Sequence, residues 1–305
     1  MNPVTKPQSA RVCGEATHLN ENVRAMLAWT DEDRIRQVKS SRWIGYTQAL
    51  EVLDCLEDLL DHPPTYRMPN LLLFGETNNG KTAIVERFKE LHPARDNPDG
   101  NGIVVPVLVI PAPDEASEHR FYNAILDKLY APYKAKDKID KKMHQVYELL
   151  GQIRLQILII DKIHNIAGGS MARQHQFLQA IKRLGNELHI SLVGVGTQEA
   201  FPAIHADPQL AHRFLPVSVS RWEMGRDYLK LLASFERMIP LHSASHLTRK
   251  TLAIRILAMS EGKIGEIAAL LARAAVHSIR AGYERIDAQV LDEIEWIAPS
   301  DRKWL

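Results

Sequence analysis

The stretch "NLLLFGETNNGKTAIVERF", Asn70 to Phe88, decides the fold. Leu71 to Phe74 form a short apolar run ending in Gly75, and beyond the loop Ile84, Val85 and Phe88 recur at helical spacing. The eight residues between strand and helix fit G-x-x-x-x-G-K-[ST], in the context that pattern requires. Glycines let the backbone curl so that successive N–H groups face phosphates, and the helix N-terminus adds positive potential. In such a loop Lys81 reaches the β- and γ-phosphates and Thr82 ligates Mg²⁺. Gly75, Glu76, Thr77, Asn78, Asn79, Gly80, Lys81 and Thr82 are therefore the expected nucleotide contacts.

Some eighty residues on, "LQILIIDKIHN", Leu155 to Asn165, is a second apolar run, and it ends in Asp161. Open α/β sheets bind ligands at the C-terminal ends of their strands, and a carboxylate there holds Mg²⁺ directly or through water. A third run, "ISLVGVGT", ends in Thr197. That residue either reaches the attacking water or the γ-phosphate, or simply closes the strand before the next helix. Arg213, in "PQLAHRFLP", is expected after a short helix, where a cation either projects towards a neighbouring subunit or is solvated.

Around these runs the pattern alternates. "GIVVPVLVIPAP" is expected as a strand, and "EHRFYNAILDKLYA", "QVYELLGQI" and "ARQHQFLQAIKRLGNEL" as helices, with "YTQALEVLDCLEDLLDH" as a helix ahead of the loop. Strands apolar throughout and alternating with helices predict a parallel sheet covered on both faces. Beyond Trp222 only helical periodicity remains, in "GRDYLKLLASFERMI", "TRKTLAIRILAMSEG", "IGEIAALLARAAVHSIRAG" and "DAQVLDEIEWIA". The expectation is an α/β, P-loop parallel sheet with helices on both faces, followed by a small all-helical lid. The boundaries expected are an N-terminal extension over 1–41, a nucleotide-binding domain over 42–222 and a lid over 223–305.

Composition limits the rest. With 38 Lys and Arg against 37 acids in 305 residues, the net charge of +1 supplies no global field towards nucleic acid or membrane. Two cysteines, Cys13 and Cys55, are too few for a disulfide framework or a zinc site. No apolar run approaches the ~20 residues of a membrane span, and the N-terminus lacks a signal-peptide core, so a cytoplasmic protein is expected. His242 and His246 stand at i, i+4 without a third ligand or the Glu of a metalloprotease pattern.

Taken together, "RWIGYTQALEVLDCLEDLL", "RMPNLLLFGETNNGKT", "ILIIDKIHN", "SLVGVGT", "LAHRF" and "GKIGEIAALLARAA" resemble the AAA+ ATPases and, more narrowly, the TniB/TnsC family of transposition regulators. The resemblance runs from about Arg42 to about Ala288. It implies ATP binding with Mg²⁺ and assembly as a homo-oligomer, a ring or helical filament on double-stranded DNA. It also implies a link between a TniQ-type target selector and the transposase. By position it makes Lys81 and Thr82 the Walker A pair, Asp161 the Walker B ligand, Thr197 sensor 1 and Arg213 an arginine finger acting in trans. Trp43, Ile44 and Tyr46 are the groups it sets against adenine; each is equally readable as part of an aromatic cluster pinning the first helix. At the sensor-2 place the nearest cation is Lys263.

One residue departs from that pattern. Lys162 stands where these enzymes carry Glu to orient and polarise the attacking water, and an ammonium beside a triphosphate does not accept a proton. The expectation is a chain that binds ATP and hydrolyses it poorly. Duplex DNA is expected to meet Arg120, Lys128, Lys134, Lys136, Lys138, Arg173 or Lys182, whose plain alternative is a solvated helix surface. Two other functions compete: a STAND-type signalling NTPase that switches protein contacts without DNA, and an active helicase loader or initiator. Against the first stands the lack of a large sensor or repeat domain before Leu305, and against the second stand Lys162 and the absence of a recognisable winged or helix-turn-helix domain.

Overall fold

The computed structural model describes residues 16–40, 42–205 and 212–304. Cys13, and most of the short helix expected before Arg213, lie outside the described residues. The chain divides into two compact units, one formed by Gly45–Arg221 and the other by the N-terminal segment through Ile44 together with Trp222 onward.

The N-terminal segment holds α1 (Glu21–Ala25) and α2 (Asp31–Lys39). Thr30 caps α2, its Oγ1 accepting from Asp33 N at 3.2 Å, with acids in the first turn and Arg36 and Lys39 in the last, as the helix dipole favours. In the sheet unit come α3 (Thr47–Leu60), β1 (Asn70–Gly75), α4 (Lys81–Leu91), β2 (Arg95–Asp96), β3 (Ile103–Val104) and β4 (Val107–Pro111). There follow α5 (Glu118–Lys128), α6 (Ile139–Gln152), β5 (Ile157–Asp161), α7 (Met171–Leu188), β6 (Ser191–Gly196), α8 (Ala200–His205) and β7 (Phe214–Val219). The helical unit continues with α9 (Arg226–Met238), α10 (Lys250–Ser260), α11 (Ile264–Ala281) and α12 (Ala288–Glu293).

Five strands form one parallel sheet in the order β4-β5-β6-β1-β7, with helices on both faces. β6 is buried along its whole length and β5 nearly so, as a strand covered on both sides must be. Register aligns the ends that matter: Asp161 pairs with Val195, Phe74 with Gly196, and Gly75 with Val219. The end of β5, the residue after β6 and the phosphate loop therefore share one edge of the sheet. Phe121, Tyr122, Ile125, Phe177 and Ile181 of α5 and α7 pack with Leu108, Leu158 and Ile160 of β4 and β5 in the main core.

Three expectations change. "GIVVPVLVIPAP" is two strands rather than one: Pro106 lacks a ladder N–H, and Ile103–Val104 turn aside to pair antiparallel with Arg95–Asp96. β7 was not anticipated at all, because Pro216 and Ser218 break its apolar pattern; an edge strand tolerates both. The described part of the segment expected as a separate extension, residues 16–40, together with Arg42, Trp43 and Ile44, belongs to the helical unit. The anchor is Arg34, whose fully buried guanidinium donates to both Glu284 oxygens at 2.7 and 2.8 Å, to Asp31 at 2.7 Å and to Pro240 O at 3.1 Å. Among the described residues no helix is long and apolar enough to cross a membrane.

Candidate nucleotide-binding site

The loop between β1 and α4 has the backbone its sequence requires. Gly80 adopts φ 85°, a left-handed position that glycine takes without strain, and leads directly into α4. Gly75 approaches β7 so closely that a Cβ there would lie 2.4 Å from Val219 O. Asn79, 1% exposed, donates from Nδ2 to the same carbonyl at 2.7 Å, so the loop is fastened to the end of β7.

Within the loop, Lys81 is half-buried and its Nζ donates to Gly75 O at 2.8 Å and to Glu76 O at 2.6 Å. Burial pushes its pKa down, opposed by the charges of Asp161 and Glu76. Thr82 Oγ1 donates to Asp161 Oδ2 at 3.2 Å, which brings the loop hydroxyl and the carboxylate of β5 together from 79 residues apart. A hydroxyl and a carboxylate are the hard oxygen donors that suit Mg²⁺. The other Asp161 oxygen, Oδ1, accepts from Lys162 N at 2.8 Å; Lys162 is exposed and left-handed at φ 58°.

Thr197 follows β6, the strand that lies between Asp161 and the loop, and its Oγ1 donates to Glu199 Oε2 at 3.2 Å. Arg213 lies at the opposite end of the sheet, immediately before β7. Its carbonyl accepts from Asn70 N and its Nη1 donates to Asn186 Oδ1 at 2.7 Å. The length of β1 separates it from the loop of its own chain by about 17 Å.

The three expected adenine neighbours divide between the units. Tyr46 belongs to the sheet unit and is 8% exposed, and burial raises its phenol to about 12. Ile44 lines a cavity of about 300 Å³ wholly within the helical unit, walled by Val38, Phe235, Met238, Leu271 and Ala272. Arg42 stands at that cavity with main-chain carbonyls, Met238 O and Gln37 O, as its hydrogen-bond acceptors, and burial lowers its pKa. Trp43 is half-buried beside it in sequence.

Of the cations expected to meet DNA, Arg120 and Arg173 come together. They line one cavity with Ser117, His119, Ile139 and Gln176, where the N-terminal turns of α5, α6 and α7 converge. Below lies Lys142, fully buried, its Nζ donating to Asn123 Oδ1 at 2.8 Å and lying 3.1 Å from His119 Nε2 and 4.6 Å over the Tyr133 ring. Glu115 and Glu118 line the same cavity, and Arg173 pairs with Glu115 at 3.5 Å. Lys128 is at the far end of α5, Lys182 is half-buried on α7, and Lys134, Lys136 and Lys138 are exposed in the connection to α6.

What the sequence reading missed is the partner of Glu76. Arg221, just past β7, donates to both of its oxygens, Nε to Oε1 at 2.5 Å and Nη2 to Oε2 at 2.6 Å. The only hint in the sequence was the acid itself, set inside a loop that should attract phosphates.

Residues 34–224 match the family described as bacterial TniB protein. Among curated proteins, the chain is 28% identical to the chaperone protein ClpB of Meiothermus ruber over 49% of its own length and 16% of that protein. It is 26% identical to the ATP-dependent Clp protease ATP-binding subunit ClpL of Lactococcus lactis subsp. lactis over 58% and 22%. The chain thus spans less than a quarter of the length of these relatives. Among solved structures, Aeropyrum pernix ORC2 in ADPNP–ADP complexes superposes with TM-score 0.59 at 14% identity, over 88% of this chain and 74% of that one. Aeropyrum pernix ORC1 in complex with DNA gives 0.51 at 16%, over 88% and 69%. At such identities the likeness is one of fold, that of the AAA+ ATPases.

Proposed function

This chain belongs to the bacterial TniB protein family, and on that premise we propose that it is an ATP-gated, DNA-binding regulator of transposition whose hydrolytic step is impaired. The observation that supports the nucleotide half is the 3.2 Å contact of Thr82 with Asp161, beside a loop that carries Lys81 and a left-handed Gly80. Thr82 and Asp161 are the residues that would hold Mg²⁺, which neutralises phosphate charge when bound. Thr197 is the candidate for a polar contact near the reacting phosphate. Lys162 follows Asp161 where a carboxylate would orient water, so binding survives and turnover falls by ~10²–10⁴.

DNA is assigned to the sheet unit. Three helix N-termini with Arg120 and Arg173 are the phosphate contacts proposed on a chain of net charge +1, in a cavity that Glu115 and Glu118 also line, and the exposed Lys134, Lys136 and Lys138 are further candidates. Repetition of the site around a ring or along a filament multiplies its phosphate contacts. Arg213, distant from its own loop, serves a neighbouring subunit in that assembly. The oligomer then presents itself to a TniQ-type selector and a transposase. Electron microscopy with ATP, with and without duplex DNA, tests the reading: rings or filaments threaded by DNA are expected, and monomers under both conditions would refute it.

A further inference from the structure

We propose that Arg221 is a positioning residue of the nucleotide site, which compensates the charge of Glu76 so that a carboxylate inside the phosphate loop does not oppose a polyanion. The inference rests on the nucleotide-binding reading above and adds the residue that makes this loop sequence workable. A loop that works by positive potential is weakened by an acid at its second position. Glu76 is such an acid, and its charge acts on Lys81. The compensation is geometric as well as electrostatic, because the guanidinium meets both carboxylate oxygens in a fork that holds the side chain in one orientation.

The pair has little to do with stability. Its side chains are 45% and 48% exposed, and exposed pairs contribute little to folding. Its place suits another use. Val219, two residues before Arg221, takes the Asn79 hydrogen bond and the close approach of Gly75, so residues 219–221 hold the loop at its beginning, middle and second position. Glu76 also accepts the Lys81 ammonium at its carbonyl, 2.6 Å away, so Arg221 fixes the residue against which the phosphate-binding lysine rests.

The test is the ATP dissociation constant of the full chain, measured by calorimetry with Mg²⁺ at low and high salt. Arg221→Gln is expected to weaken binding about tenfold at low salt, less at high salt where charges are screened. Arg221→Lys, which keeps the charge without the fork, should lose less. Glu76→Gln should bind more tightly than the unaltered chain, and Arg221→Gln combined with Glu76→Gln should return close to it. Unchanged affinity in Arg221→Gln overturns the proposal, as does a double variant as weak as Arg221→Gln alone. A general loss of fold would show as a lowered thermal midpoint that Glu76→Gln does not rescue, and that too overturns it. If the unaltered chain binds ATP no better than Lys81→Ala, the nucleotide reading falls and this proposal with it. If Lys81→Ala abolishes binding while the Arg221 variants bind normally, only the role of Arg221 falls.

Discussion

Gly75 shows how a single residue can be decided by its surroundings. The motif asks for glycine there, and the structure supplies the reason: Val219 O lies where a Cβ would have to go. Gly75→Ala must push β7 or the loop aside, so a loss of about 1–3 kcal/mol in denaturant unfolding is expected, together with weakened ATP binding. An alanine variant with unchanged stability would show that the contact gives way easily. Lys81, Thr82 and Asp161 were legible because each stands at a fixed offset from a strand end. Glu76–Arg221 was not, since its partners are 145 residues apart and no local pattern joins them. The same holds for Lys142, which no local pattern in the sequence marks and which is fully buried.

Among the elements, β1, β5 and β6 were legible as apolar runs, because a strand covered on both faces leaves no polar alternation to confuse the reading. β7 was hidden by the same logic, being an edge strand half open to solvent. α2 escaped because its most buried residue is an arginine. That arginine carries a prediction. Arg34→Ala leaves Glu284 buried without its cation, and a loss of about 3–5 kcal/mol is expected in chemical denaturation of the helical unit. Burial works to raise the Glu284 carboxyl, but the hydrogen bonds and charge of Arg34 outweigh it and hold its pKa below the usual range. A depressed carboxylate stabilises fully above its unfolded pKa of about 4.3, and the stabilisation is lost as pH falls through the folded value. Thermal midpoints should therefore drop below about pH 4, and Glu284→Gln should flatten that part of the profile. An identical acid limb in the variant would assign the loss to other groups.

For the whole molecule, the absence of a global field is the informative quantity. With a net charge of +1, any affinity for DNA comes from the few cations that the fold gathers, and composition could not say which. The fold gathers Arg120 and Arg173 and leaves Lys128 at the other end of α5, a separation invisible along the chain because one helix carries both signals. Replacing both arginines by alanine should weaken ATP-dependent DNA binding and reduce the salt slope by about two per subunit, whereas Lys128→Ala should leave the slope nearly unchanged. The reverse ranking would move the DNA surface elsewhere. The two-unit architecture was legible from the change in periodicity at Trp222, but the return of the N-terminal segment to the helical unit was not, since it depends on Arg34 meeting Glu284 from 250 residues away.

Lys162 stands where a water-orienting carboxylate would, and ATP turnover in the presence of duplex DNA tests its effect most directly. The unaltered chain should bind ATP and release phosphate near the background rate, and Lys162→Glu should raise turnover by ~10²–10⁴ with similar ATP affinity. Equal rates in the two proteins would contradict it.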